Sequence, residues 1–370
     1  MRTPVVVVSG QSDTGEIARA LLDSPGAALV EHRFDGHVVH RSTALLRDGI
    51  TVEAHAVLEL TNCCVSCTVR HDLIQHLRKL HRRPDVDRIV VRLGPYLEPE
   101  PVCFALRHSP AAREVTVSAV VTGIDAAGWL DQALGDDELD DGRTVAQVVV
   151  AQVEFADVVV LTEPHADTLA VARRLAPKAR ITVGTEQLAL ALANLDRDSR
   201  RGRSDDIHGS LLSGQPPLEA AGGVQIVEFQ ARRPFHPNRL HSAIDLLLEG
   251  VVRSRGRLWL ANTPEKAMWL ETAGGGLRIS AGGKWLAAMT SREIAYVGSE
   301  RRAMADLIWE HRHGDRHTSM TVLVCGADPA QIADALRAAL LTDAEMARPQ
   351  DWRRYEDPFG DWLAEEARLA

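Results

Sequence analysis

VVVVSGQSDTGEIARALL, residues 5–22, joins an apolar strand to an amphipathic helix through two glycines. Four consecutive valines without polar alternation suit a parallel strand covered on both faces. Gly10, four residues and then Gly15 reproduce the glycine spacing of a phosphate-binding loop. In such a loop backbone N–H groups cradle the phosphates, a Lys neutralises them and a Ser or Thr hydroxyl holds Mg²⁺. Here Glu16 stands in place of the Lys and Ile17 in place of the hydroxyl. The frame of the loop is present and its chemistry is missing.

The chain outward from this loop repeats strand and helix. AALVEHRF and GHVVHRSTALL read as strands, and VRHDLIQHLRKLH puts Val69, Leu73, Leu77 and Leu80 on one helical stripe. DRIVVRL, VTVSAVVTGI and DVVVLT read as further strands with helices between them. Such alternation predicts an α/β fold: a P-loop NTPase-like, mostly parallel sheet with helices on both faces. From about residue 196 the chain turns polar, rich in Gly, Ser and Pro, as a linker does. VQIVEFQ, VVRSRGRLWLAN, KAMWLETAG, GLRISAG and SMTVLVCG then read as strands, with helices at PNRLHSAIDLLLEG and PAQIADALRAALL. The expected organisation is a loop-bearing domain at 1–195, a linker at 196–223 and a smaller α+β domain at 224–370.

Composition sets bounds on function. With 370 residues the chain is long enough for two cores, and 45% apolar with 25% charged residues is ordinary for a globular protein. No apolar run approaches the ~18 residues of a membrane span, and the opening MRTPVVVV carries no cleavable leader pattern, so a cytoplasmic location is expected. A net charge of −9 argues against a protein that coats nucleic acid by charge alone. Arg253, Arg255 and Arg257 would share one face of a strand, a local basic stripe that a phosphate backbone could touch. Three of the five cysteines fall within residues 63–67, which reads as a local thiol site rather than a disulfide framework.

These motifs resemble the cobalamin-synthesis-type (CobW) P-loop GTPases, a family that includes zinc metallochaperones. The opening loop sits where the family has its Walker A motif. NCCVSCTVRHDL resembles its Cys-x-Cys-Cys stretch, RIVVRLGPYLEPEPV its Walker B region, and DVVVLTEP its guanine-specificity motif. RRPFHPNRL, GRLWLAN and TDAEMA…DPFGDW are similar to its C-terminal domain. Within the family, EHRFDGHVVHR, CVSCTVRHDL and DGRTVAQV resemble members from zinc-limited mycobacteria that bring the hibernation factor Protein Y to ribosomes. That resemblance implies a pseudo-GTPase adaptor whose partners are the ribosome, at its small subunit, and Protein Y, with neither DNA nor a membrane as partner. The alternative it leaves open is a GTP-dependent zinc metallochaperone.

Aligned on the family's pattern, each nucleotide motif is altered. Asp13 replaces a loop Gly; Arg92 stands where an acidic residue would approach Mg²⁺; Pro95 replaces the following Gly. Thr162, Glu163, Pro164 and His165 replace Asn-Lys-x-Asp. The remnant residues are therefore Gly10, Asp13, Gly15, Glu16, Ile17, Arg92 and Glu163. No catalytic residue is assigned, and GTP with Mg²⁺ is not expected as a cofactor. Zn²⁺ is, with Cys64 and Cys67 in Cys-x-x-Cys spacing and Cys63 beside them as ligands. The resemblance makes Cys64 and Cys67 the partner contact as well. Cys103 and Cys325 read as core, and His32, His37, His40, His311, His313 and His317 as solvated residues of turns.

Overall fold

The computed structural model describes residues 1–11, 14–47, 50–61, 64–204 and 214–360, so Asp13 and Cys63 lie outside the described residues. Two compact units form. One holds the residues up to Gln132 and from Val148 to 204; the other holds Ala133–Gln147 and the described residues from Pro217 onward.

The first unit is built on an eight-stranded sheet of β1 (Thr3–Gly10), β2 (Ala27–Phe34), β3 (Val39–Arg47), β4 (Ile50–Leu58), β5 (Arg88–Arg92), β6 (Val115–Ile124), β7 (Val158–Leu161) and β8 (Arg180–Val183). Their order is β4-β3-β2-β5-β1-β6-β7-β8. Pairings from β2 to β8 are parallel, while β2–β3 and β3–β4 are antiparallel. β1 is flanked on both sides and covered on both faces, which explains its unbroken valines. Val5 and Val7 enter one core with the α2 (Val65–His81) stripe Val69, Leu73, Leu77 and Leu80. Val6 and Val8 enter the other with Ile17, Ala18, Leu21 and Leu22 of α1 (Gly15–Leu22). Each such burial contributes about 1.5–3 kcal/mol. β4 has no counterpart in the sequence reading. Part of the stretch read as a linker packs on this unit: Ser199 is buried, and the Arg201 N–H donates to the Asp157 carboxylate at 3.0 Å.

The second unit carries β9 (Val224–Ala231), β10 (Val251–Trp259), β11 (Lys266–Ala273), β12 (Gly276–Lys284) and β13 (Thr318–Cys325). They form an antiparallel sheet in the order β12-β11-β10-β13-β9. Leu258, Val322 and Val324 of this sheet share a core with Leu240 of the helix Pro237–Ala243 and with Ile332 and Leu336 of the helix Pro329–Ala339. Trp259 and Trp285 join Trp352 in a smaller core. Their rings pack against His313 at 5.1 Å and His317 at 5.4 Å. These two histidines are therefore not solvated as expected, and burial pushes both imidazoles below their usual range. His311 is exposed. None of the described helices is long and apolar enough to cross a membrane.

The arginine stripe of β10 is largely used within the sheet. Arg253 and Arg255 both pair with Glu271 of β11, at 3.4 and 2.9 Å, and the Trp269 indole donates to the same carboxylate at 2.9 Å. Burial alone would raise the Glu271 pKa, but the two guanidiniums and the indole outweigh it and hold it at about 2. A carboxylate depressed in the folded state stabilises above its unfolded pKa, near 4.5, and that contribution is lost as pH falls through about 2. The expected loss is about 3 kcal/mol across this window. Denaturant midpoints measured from pH 5 to pH 2 should fall more steeply for the native chain than for Glu271→Gln.

Candidate functional site

The carboxyl ends of parallel strands of this sheet, where open α/β sheets bind ligands, carry the remnant residues. Gly10 ends β1, Arg92 ends β5, and Thr162 and Glu163 follow β7. At Gly10 the backbone has φ +148°, and a Cβ would lie 2.4 Å from the Gly123 carbonyl oxygen. Only glycine fits where the strand turns into the loop. Gly15 opens α1 after the buried N-cap residue Thr14.

Arg92 reaches Thr14 at the start of α1. Its Nε donates to the Thr14 hydroxyl at 2.8 Å, and its guanidinium also donates to Glu31 Oε1 at 2.9 Å. Glu31 is its register partner on β2. The Thr14 hydroxyl makes no helix-capping bond; it serves the arginine instead. The Pro95 carbonyl accepts from the side-chain amides of Gln11 and, at 2.9 Å, of Gln152. The segment after β5 is thus tied to the segment after β1 by the protein's own donors. Thr14, Glu31, Gln11 and Gln152 were not singled out from sequence, since each is an ordinary polar residue at the end of an element.

Glu16 is exposed at the second position of α1. A carboxylate there complements the positive end of the helix by about 0.3–1 kcal/mol, the same end that would otherwise attract a phosphate. Ile17 is 5% exposed and belongs to the core beneath α1. Glu163 is exposed, and among the described residues no hydrogen bond or ion pair joins it to the loop. His165, where guanine recognition would need an Asp, caps the helix Ala166–Leu175 by accepting from the Thr168 N–H at 3.3 Å. On the family's pattern, these residue types differ from those of a Mg²⁺-GTP site. The loop offers a carboxylate and an aliphatic side chain where the phosphates and metal need an ammonium and a hydroxyl. The position of the acidic metal neighbour holds a guanidinium.

The thiols lie at the start of α2, which begins at Val65, earlier than the apolar stripe alone indicates. Cys64 is its N-cap, and its Sγ accepts from the Cys67 N–H at 3.1 Å. The Cys67 Sγ accepts from Arg70 at 3.3 Å. The hydrogen bond from Cys64 and the Arg70 charge pull Cys67 below the ordinary thiol range. Burial and the neighbouring thiol push Cys64 above it. The lowered pKa favours the thiolate form at Cys67. Under limiting iodoacetamide near pH 7.5, peptide mapping should find Cys67 modified several-fold faster than Cys64, and equal rates would contradict this assignment. Cys103 is buried, and burial raises its thiol; Cys325 is only half-buried at the end of β13. Among the described residues no group of three or more His, Cys, Asp or Glu side chains is gathered to hold a metal. Cys64 and Cys67 offer two of the four ligands that zinc takes.

His32, expected in a solvated turn, is buried in β2 with its Nε2 2.8 Å from Asp72 Oδ2 of α2. Arg41 of β3 pairs with the same carboxylate. His40, also expected in a solvated turn, is instead half-buried at the start of β3, 2.7 Å from Asp35 of the turn; His37 is exposed in that turn, as expected.

Comparison with known proteins agrees with this architecture. Residues 29–180 match the CobW/HypB/UreG nucleotide-binding domain, and residues 224–340 match the cobalamin synthesis protein cobW C-terminal domain. The first match leaves Gly10–Ile17 outside it. A Mycobacterium tuberculosis protein named a zinc chaperone is 60% identical, over 98% of this chain and 94% of its own. The zinc-regulated GTPase metalloprotein activator 1 of Dictyostelium discoideum is 27% identical over 83% of this chain and 71% of its own. A crystal structure of the Zn(II)-bound YjiA GTPase from E. coli covers 92% of this chain and 99% of its own, at 14% identity and a TM-score of 0.39. The matched domain is a nucleotide-binding one, so the comparison lends no weight to the expectation of a chain without GTP and Mg²⁺. With both domain matches in place and the 60% identity running nearly end to end, the chain belongs to the CobW family of P-loop GTPase-related proteins.

Proposed function

We propose that this chain handles zinc through the Cys64–Cys67 pair and does so without Mg²⁺-assisted GTP turnover. The zinc part is supported by the names of its relatives and by two thiols of opposed acidity at a helix start. Two ligands leave room for a partner to complete the coordination, which suits handing an ion over better than storing it. The turnover part is supported above all by Arg92, which the resemblance aligns with the acidic Mg²⁺ neighbour and which here bonds to Thr14 and Glu31. Competition with a chromophoric chelator tests the reading. Zinc affinity should be the same with and without Mg²⁺-GTP; a nucleotide-dependent shift of tenfold or more would support a GTP-dependent metallochaperone instead.

The finer reading makes zinc limitation a signal for recruitment, with Protein Y and the small ribosomal subunit as partners. It is supported by the resemblance in EHRFDGHVVHR and CVSCTVRHDL, and by the geometry of those two strings. His32 and Arg41 of the first both bind Asp72 of the second, so the two strings pack against each other, the second of them carrying the thiols. Immobilised protein should capture ribosomes together with Protein Y at low zinc and release them when zinc is added. Capture of neither removes the recruitment reading and leaves the zinc reading standing.

A further inference from the structure

The eight-stranded sheet ends in two unlike edges. β8 is four residues long and begins with Arg180, a short edge with a charge on it, as natural sheets use to discourage pairing. β4 is nine residues long, runs in unbroken register along β3 from Arg47↔Ile50 to Val39↔Leu58, and contains neither Pro nor Lys. Among the described residues no strand pairs with its far side. Ile50, Val52 and Val57 are 67, 46 and 64% exposed. Such an edge is a template for another strand.

The sequence of β4 indicates which strand. ITVEAHAVL has near-palindromic chemistry about Ala54. Antiparallel pairing with a second copy, centred on Ala54, sets Ile50 opposite Leu58, Val52 opposite Ala56, and Thr51 opposite Val57. Glu53 falls opposite His55 on both sides of the two-fold axis. Within one chain these two already lie 3.5 Å apart, so pairing would make a quartet of alternating acid and imidazole. Centring one residue earlier sets Glu53 against Glu53, and one residue later sets His55 against His55; each also leaves two residues of every strand unpaired. Opposite charges across a strand pair favour association, and like charges oppose it.

We infer that β4 is a self-complementary edge through which two copies of this chain join their sheets about a two-fold axis at Ala54. The interface is isologous, so it closes at the dimer. It lies on the first unit and does not depend on zinc or nucleotide.

Light scattering on the full chain should give twice the 40.4 kDa chain mass at high concentration, with dissociation on dilution. Glu53→Lys should weaken association about tenfold, because two carboxylate–imidazole contacts across the strand pair are lost. Combining Glu53→Lys with His55→Glu should restore it. Ala54→Cys places two thiols directly opposite one another and should give a disulfide between residues 54 of two chains, identified by peptide mass after mild oxidation. Thr51→Cys should not link to itself, since the two positions are six residues out of register, about 20 Å apart. A monomer at every concentration overturns the inference, including the case in which another protein's strand occupies the edge. Equal self-linking by Ala54→Cys and Thr51→Cys also overturns it.

Discussion

Replacing both thiols, Cys64→Ser with Cys67→Ser, is expected to lower zinc affinity more than about 100-fold while leaving the fold intact. The two effects separate for a structural reason. Cys64 is the N-cap of α2, and its sulfur accepts from the Cys67 N–H. Serine is among the best N-cap residues, so the helix start survives the exchange of sulfur for oxygen. Thr68 adds a second anchor: its hydroxyl donates to the Cys64 carbonyl and accepts from the Thr61 N–H. A chelator-competition titration alongside a thermal melt reads both quantities. Unchanged zinc affinity would place the metal elsewhere; a collapse in melting temperature would make the cysteines structural.

A gain of function carries the second large effect. Glu16→Lys together with Ile17→Thr and Arg92→Asp should raise affinity for Mg²⁺-GTP by more than about 100-fold over the native chain. Glu16→Lys changes the loop by two charge units. At ~5 Å and an effective dielectric near 20, each unit contributes on the order of 3 kcal/mol against one phosphate charge. The other two changes restore a metal-binding hydroxyl and remove the guanidinium that occupies Thr14. Stability should fall, because Ile17 belongs to the core beneath α1 and the variant carries a hydroxyl there; a cost of about 1–3 kcal/mol is expected. Arg92→Asp also sets a carboxylate beside Glu31. Calorimetric titration reads the affinity, and no gain in a variant still folded by circular dichroism would show that the three positions are not what excludes the nucleotide.

The doubly covered sheet was legible because its signals are local. A four-valine run, a glycine-bounded turn and a 3.6-residue stripe each specify an element without reference to the rest of the chain. β4 was partly legible in principle, since Ile50, Val52, Ala54, Ala56 and Leu58 fall on alternate positions, although Val57 interrupts the polar ones. Its alternation is weak in volume, with two alanines among five positions, and most of the strand is exposed, with Leu58 alone packing against the core. The altered loop could be read from Glu16 and Ile17 alone. What replaces it could not. Arg92 reaches Thr14 across 78 positions of sequence, and only the pairing of β5 between β2 and β1 brings Glu31, Arg92 and the loop together. The burial of His32 has the same non-local cause. Its partner Asp72 is 40 positions away, on a helix whose local signal is its apolar stripe.

Calorimetric titration of the full chain with Mg²⁺-GTP, followed by single-turnover phosphate release on the same sample, bears most directly on whether this loop still works. The expected result is no saturable heat at micromolar protein and no phosphate above the nucleotide's own rate of hydrolysis. Micromolar binding with phosphate released in proportion to protein would contradict it and return the chain to the working GTPases of its family.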